Sequence, residues 1–437
     1  VSQPPNQPDA SVRRVVGLAL PALVVLAAEP MYVLVDTALI GHLGAYPLAA
    51  LAVGGVVLSQ VAGQFNFLAY GTTARAARHF GAGRRDLAVR EGANASVLAL
   101  LISAALIVLV ELFAPQIARL IAGSGSPIAD DAAAWMRIAI LGAPGILLSL
   151  AGNGWMRGIQ RVREPTVYVV IGFGICLVLL PIFIYGFGWG LLGSATANAI
   201  AQNIVGVLFL RALVRERVSW RIDGAVMRGQ LRSGRDLFIR TLALQGSMIV
   251  AAAVAARMGT AVIGAHQIGT QLQTLCALAL DSVAIAAQAL IGEALGRGDR
   301  ELVRRTTRLV ARVGFGAGVV LAAVLLVLRP WLPQVFTSDT AVLEQAAVMW
   351  LFLAGMQVIC GVLFALDGVL MGAGDVAVLR TITIVAHGAV YLPLALLAYQ
   401  LQWGIAGIWA GLALSLAARL ALGWWRVRGD RWMDARL

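Results

Sequence analysis

The chain has 437 residues, 60% of them hydrophobic and only 13% charged, with a formal net charge of +12. The apolar residues recur in long, almost charge-free runs, which excludes a soluble globular protein and points to a polytopic membrane protein. All 34 basic residues are arginine and concentrate between apolar runs, so they fit orientation in a membrane better than nucleic-acid binding.

In chain order, residues 1–12 are polar and proline-rich and read as a disordered cytosolic tail. Apolar runs then predict helices over 15–42, 47–78, 92–114, 131–156, 165–186 and 190–213. After an arginine-rich linker, assigned to 214–235, they resume over 236–257, 261–291, 306–328, 341–371, 378–400 and 404–426. Residues 427–437 form a second tail. Glycine and proline clusters such as Gly44–Pro47, Gly123–Pro127 and Pro330–Pro333 mark the joints. The expectation is an all-α membrane protein of about twelve transmembrane helices.

Arginine clusters alternate between loops. With a cytosolic N-terminus, Arg84, Arg85 and Arg90, then Arg161 and Arg163, then the linker arginines, all fall on the cytosolic side. Both termini are therefore expected in the cytosol. The absence of lysine reads as a codon bias of a high-GC bacterial genome. Cys176, Cys276 and Cys360 lie in apolar runs with no metal-ligand spacing, and are expected to be small buried residues.

The chain also repeats itself. Leu43-Gly44 matches Met258-Gly259, and Gly81-Ala82-Gly83 matches Gly296-Arg297-Gly298, each at an offset of 215. Gly154 and Gly158 match Gly368 and Gly372, and Trp189-Gly190 matches Trp403-Gly404, at 214. Six helices per repeat is an even number, so both halves run the same way. This predicts two six-helix bundles, 13–213 and 236–426, related by a pseudo-two-fold along the membrane normal, with substrate passing between them by alternating access.

Polar groups inside the runs are the functional candidates. Glu29 and Asp36 are seven residues apart, which places them on one helix face about 10 Å apart. A carboxylate at this depth must be protonated, paired or cation-bound for part of its life. Such a group suits proton coupling. Pro21 and Pro30 permit a bend nearby. Tyr32, Gln64, Asn66, Asp281, Gln288 and Asp367 are candidates for substrate contact, and Asp367 could instead pair with an arginine. His42 and His266 are expected to tie helix ends.

The segments Val35-Asp36-Thr37-Ala38 with Gly41-His42-Leu43-Gly44, Ala265-His266-Gln267, Ala286-Ala287-Gln288-Ala289, Asn153-Gly154 and Leu366-Asp367-Gly368 resemble the multidrug and toxic compound extrusion (MATE) family, in its DinF-like branch. The resemblance spans nearly the whole chain. It implies export of organic compounds driven by inward H⁺ or Na⁺, with Asp36 as the coupling carboxylate and Asn153 and Thr196 as neighbours of a cation site. Many relatives carry Asn and Asp on the fifth helix, where this chain has Cys176 and Leu180. A hard cation wants several oxygen ligands, so this departure favours H⁺.

The expected protein is thus a monomeric H⁺-coupled exporter of lipophilic, cationic small molecules in a bacterial inner membrane. It would contact membrane lipids and need no cofactor, metal or nucleic acid. A Na⁺-coupled exporter is the alternative. A lipid-linked precursor flippase would want a basic central cavity and fits less well with the mainly acidic intramembrane charges expected here. A membrane enzyme lacks any HExxH, GxSxG or DDxxD motif.

Overall fold

The structure, a computed structural model, describes residues 11–123, 125–217 and 223–435. The expected tail over 1–12 therefore falls almost wholly outside the described residues, as do 218–222 of the linker. Among the described residues there are helices and no strands. Twelve helices or helix pairs are long and apolar enough to cross a membrane. Helices suit a hydrocarbon environment because they pair most of their backbone groups internally.

The first half comprises α1 (Val12–Gly41), α2 (Ala45–Gln64), α3 (Phe67–Gly81), α4 (Arg85–Ala122), α5 (Ile128–Ala139), α6 (Ala143–Gly158), α7 (Arg163–Pro181) and α8 (Gly190–Arg215). The second comprises α9 (Gly224–Met258), α10 (Thr260–Gly296), α11 (Arg300–Leu328), the short α12 (Leu332–Phe336), α13 (Thr340–Ala373), α14 (Val376–Val385), α15 (Leu392–Gln400) and α16 (Gly404–Arg428). α2 with α3 forms one span, interrupted by a turn at Phe65–Asn66, and α5 with α6 forms another. Two π-helical turns, Ile182–Gly186 and Ala386–Tyr391, lie in the spans of α7 and of α14–α15. Pro21 and Pro30 sit inside an unbroken α1.

The expected linker is shorter than 214–235. α8 runs on to Arg215 and α9 begins at Gly224. Arginines with their long stems are good helix formers, so the charged flanks extend the helices instead of forming loop.

The chain packs as two compact units. One holds the described residues up to Leu23 together with Arg235–Leu437, and the other holds Val24–Gly234. The division therefore runs through α1, two residues after Pro21, and through α9. Within each unit the same close approaches recur. Gly154 and Gly158 on α6 lie against Ala69, Thr72 and Thr73 of α3. Gly368 and Gly372 on α13 lie against Ala284 and Gln288 of α10. These are the residues that the 214 and 215 offsets equate, so the sequence duplication is also a duplication of packing. Small residues let helix backbones approach closely where lipid offers no hydrophobic drive. The helix starts repeat too: Gly44 and Gly259 precede α2 and α10 with φ of 122° and 133°, a conformation costly for any side chain.

Candidate functional site

Asp36 is the one acid of α1 that the fold buries, at 3% exposure. One helical turn earlier, the Tyr32 hydroxyl donates to Asp36 Oδ2 at 3.0 Å. Oδ1 has no hydrogen-bond partner among the described residues. Ser194, on α8, is completely buried and faces the same carboxyl. Asn198, one turn further along α8, faces the Tyr32 hydroxyl. Cys176 on α7 is buried close enough to feel the Asp36 charge. Three helices of one unit thus bring a carboxylate, a phenol, a hydroxyl, an amide and a thiol together in an otherwise apolar interior. Leu180, one turn below Cys176, is fully buried and adds no polar atom.

The other expected members do not join this cluster. Glu29 is exposed and has no hydrogen-bond or ion-pair partner among the described residues. Thr196 turns away: its hydroxyl donates to Leu192 O at 2.8 Å. It lines an open apolar groove of about 520 Å³ with Ile138, Leu141, Ile200 and Asn203. At about 100° per residue, two positions along a helix are about 200° apart, so Ser194 and Thr196 face opposite ways. Ser194 and Asn198 occupy the place that the resemblance gave to Thr196. Asn153 is buried on α6, its amide donating to Ser149 O at 2.9 Å.

The substrate-contact candidates are dispersed. Asn66 sits half-buried in the turn that breaks α2 from α3. Gln64 is half-buried one turn from Gln60, and Gln288 is buried on α10 beneath Gly372. Asp281 is half-buried on α10 and has polar interactions of its own. His42 is exposed and held to Ala38 O at 2.7 Å, which ties a helix end as expected. His266 is buried instead, edge-on to Trp409.

Asp367 needs a correction as a contact for cations. Its Oδ2 accepts from Arg240 Nη2 at 2.6 Å and from Arg419 Nη2 at 2.7 Å. The carboxylate is already more than neutralised, which removes it as an open partner for a cationic drug. The expectation of mainly acidic intramembrane charge fails with it, because Arg240 on α9 and Arg419 on α16 are both largely buried. Both arginines stand alone in apolar helix (FIRTLALQ and SLAARLAL), and that signal was available in the sequence. Among the described residues no three His, Cys, Asp or Glu side chains are grouped to hold a metal.

A family model described as MatE matches twice, over 21–182 and 237–397, once in each half. The chain is 32% identical to Protein DETOXIFICATION 44, chloroplastic, of Arabidopsis thaliana, covering 97% of this chain and 84% of the relative. It is 30% identical to DNA damage-inducible protein F of Escherichia coli K12, covering 96% and 93%. A crystal structure of a MATE protein in complex with MaL6 superposes with a TM-score of 0.88 at 20% identity, covering 97% of both chains.

Proposed function

The chain belongs to the multidrug and toxic compound extrusion family, and from that premise we propose that it is a secondary exporter of lipophilic organic compounds driven by inward H⁺, with Asp36 as the coupling carboxylate. Family members are transporters and not enzymes, and this chain is a multi-pass membrane protein. The observation that carries the proposal is the Asp36 carboxyl. It is buried, one oxygen accepts from Tyr32, and the other is unbonded beside Ser194. A lone carboxyl so placed can take up and release a proton without rearranging a ligand shell. Cys176 and Leu180 supply no oxygen on the α7 side. The arginine pattern supports a bacterial inner membrane with both termini cytosolic, and the protein is read as a monomer that binds small-molecule substrates and lipid.

One observation favours the Na⁺-coupled alternative: Ser194 and Asn198 restore two oxygens near Asp36. A single experiment separates the two. Purified protein in liposomes is given a lipophilic dye and separately imposed H⁺ and Na⁺ gradients. Export under the H⁺ gradient with K⁺ replacing Na⁺, and its collapse with a protonophore, is the expected result. Asp36→Asn should fall to background while remaining folded in the membrane. Export by Asp36→Asn at the wild-type rate would refute the coupling role. A strict Na⁺ requirement would establish the alternative.

A further inference from the structure

The unit that contains Arg235–Leu437 holds a second polar cluster, which the Asp36 mechanism does not use. Arg240 on α9 and Arg419 on α16 both reach Asp367 on α13. They converge on one oxygen, Oδ2, each through a single Nη2. Neither forms the two-pronged pairing that a guanidinium and a carboxylate frequently make. The Nε of each arginine is buried with no acceptor among the described residues. The charged groups close to Arg419 are Asp367 and Arg240. Two positive charges therefore share one negative charge.

A surplus of one buried positive charge is costly unless something balances it. An Arg–Asp pair would join two of these helices with no net charge, so packing alone does not account for the second arginine. The side-chain exposures of Arg419 and Asp367 are only 5% and 7%, whereas Arg240 keeps 15%. Arg240 is the accessible edge of the cluster. Behind it lies His387, in the π-helical turn, close enough to feel both guanidinium groups and bonded to Ser247 at 2.9 Å. We propose that Arg240 and Arg419, set against Asp367, form a binding site for a small monovalent anion, either the carboxylate of an organic acid or a halide. The site would let the transporter accept compounds that carry a negative group, or export them together with an anion. It is read from charge and geometry within one unit and stands whether or not Asp36 couples transport to protons.

The test is calorimetric titration of purified protein in chloride-free Tris–HEPES with Tris benzoate and, separately, with choline chloride, so that no Na⁺ is present to bind near Asp36. Saturable binding of at least one of them to wild type is expected. Binding of benzoate alone identifies an organic carboxylate as the ligand, and binding of both identifies a general anion site. Asp367→Asn raises the surplus from one charge to two and should tighten binding at least tenfold. Arg240→Gln should weaken it at least tenfold, whereas Arg240→Lys should keep most of it. A merely structural triad predicts the reverse for Asp367→Asn: a less stable protein with no gain in anion affinity. Absence of saturable binding to wild type by either salt overturns the proposal, whatever the folding of the variants. So does tetraphenylphosphonium binding that is lost in Asp367→Asn.

Discussion

At the scale of single residues, the proposed coupling site depends on a few weak bonds in a place where each counts. Among the described residues, the Tyr32 hydroxyl is the one group that donates to Asp36 within hydrogen-bonding geometry. Tyr32→Phe deletes that donor and leaves the carboxyl in place, which should cost roughly 1 kcal/mol of positioning. Export should slow by about fivefold without vanishing, measured as dye efflux under a fixed H⁺ gradient. Ser194→Ala removes a hydroxyl that faces the carboxyl, and should have a comparable effect. Thr196→Ala, on the opposite face, should have none. Equal losses from Ser194→Ala and Thr196→Ala would show that the two faces of α8 are not functionally distinct. Asp36 stood out in the sequence as an acid inside an apolar run, and the fold buries it, whereas Glu29 in the same run is exposed. The neighbours of Asp36 were not legible. Which of Ser194, Thr196 and Asn198 turns inward depends on the rotation of α8, and a helix with polar residues on opposite faces does not announce its rotation in its sequence. Arg240 and Arg419 were obscured for another reason: among 34 basic residues that mostly set orientation, two inside apolar helix carry the same sign and do not stand out by composition.

At the scale of elements, the helices and their breaks were legible because apolar runs and Gly/Pro clusters mark them. The repeat gave more, since residues matched by offset make matched contacts. Gly154 meets Ala69 and Thr72, as Gly368 meets Ala284. A side chain at Gly368 would run into the Ala284 carbonyl of the neighbouring helix, which cannot move aside as a flexible side chain could. Gly368→Val should therefore destabilise the protein by roughly 1–3 kcal/mol through overpacking, seen as a lower thermal midpoint in detergent. Gly154→Val should do the same in the other unit. Gly316, which has open space around it, is the control, and Gly316→Ala should leave the midpoint nearly unchanged. A midpoint unmoved by both valine substitutions would remove these contacts from the account of stability. The break at Phe65–Asn66 was not foreseen, because no proline or glycine stands at those positions.

At the scale of the whole molecule, the proposed orientation rests on the arginines. In a background without the three cysteines, Ala82→Cys, between α3 and α4, should react with an impermeant thiol reagent from the cytosolic side. Ser338→Cys, between α12 and α13, should react from the opposite side. Labelling of both from one side would overturn the topology. The compact units do not coincide with the halves of the sequence. Residues 11–23 belong with the second half, where Arg14 pairs with Glu293 at 2.6 Å. The start of α9 belongs with the first, where Gln230 donates to Glu91 Oε2 at 3.1 Å. Both borrowed segments open the first helix of their repeat, so the exchange obeys the same offset as the motifs. Neither half of the chain is a self-sufficient part, then: each is finished with material that the other supplies. A duplication wired in this way can no longer be undone by separating its copies, and substitutions in the opening turns of one repeat are inherited as constraints on the other.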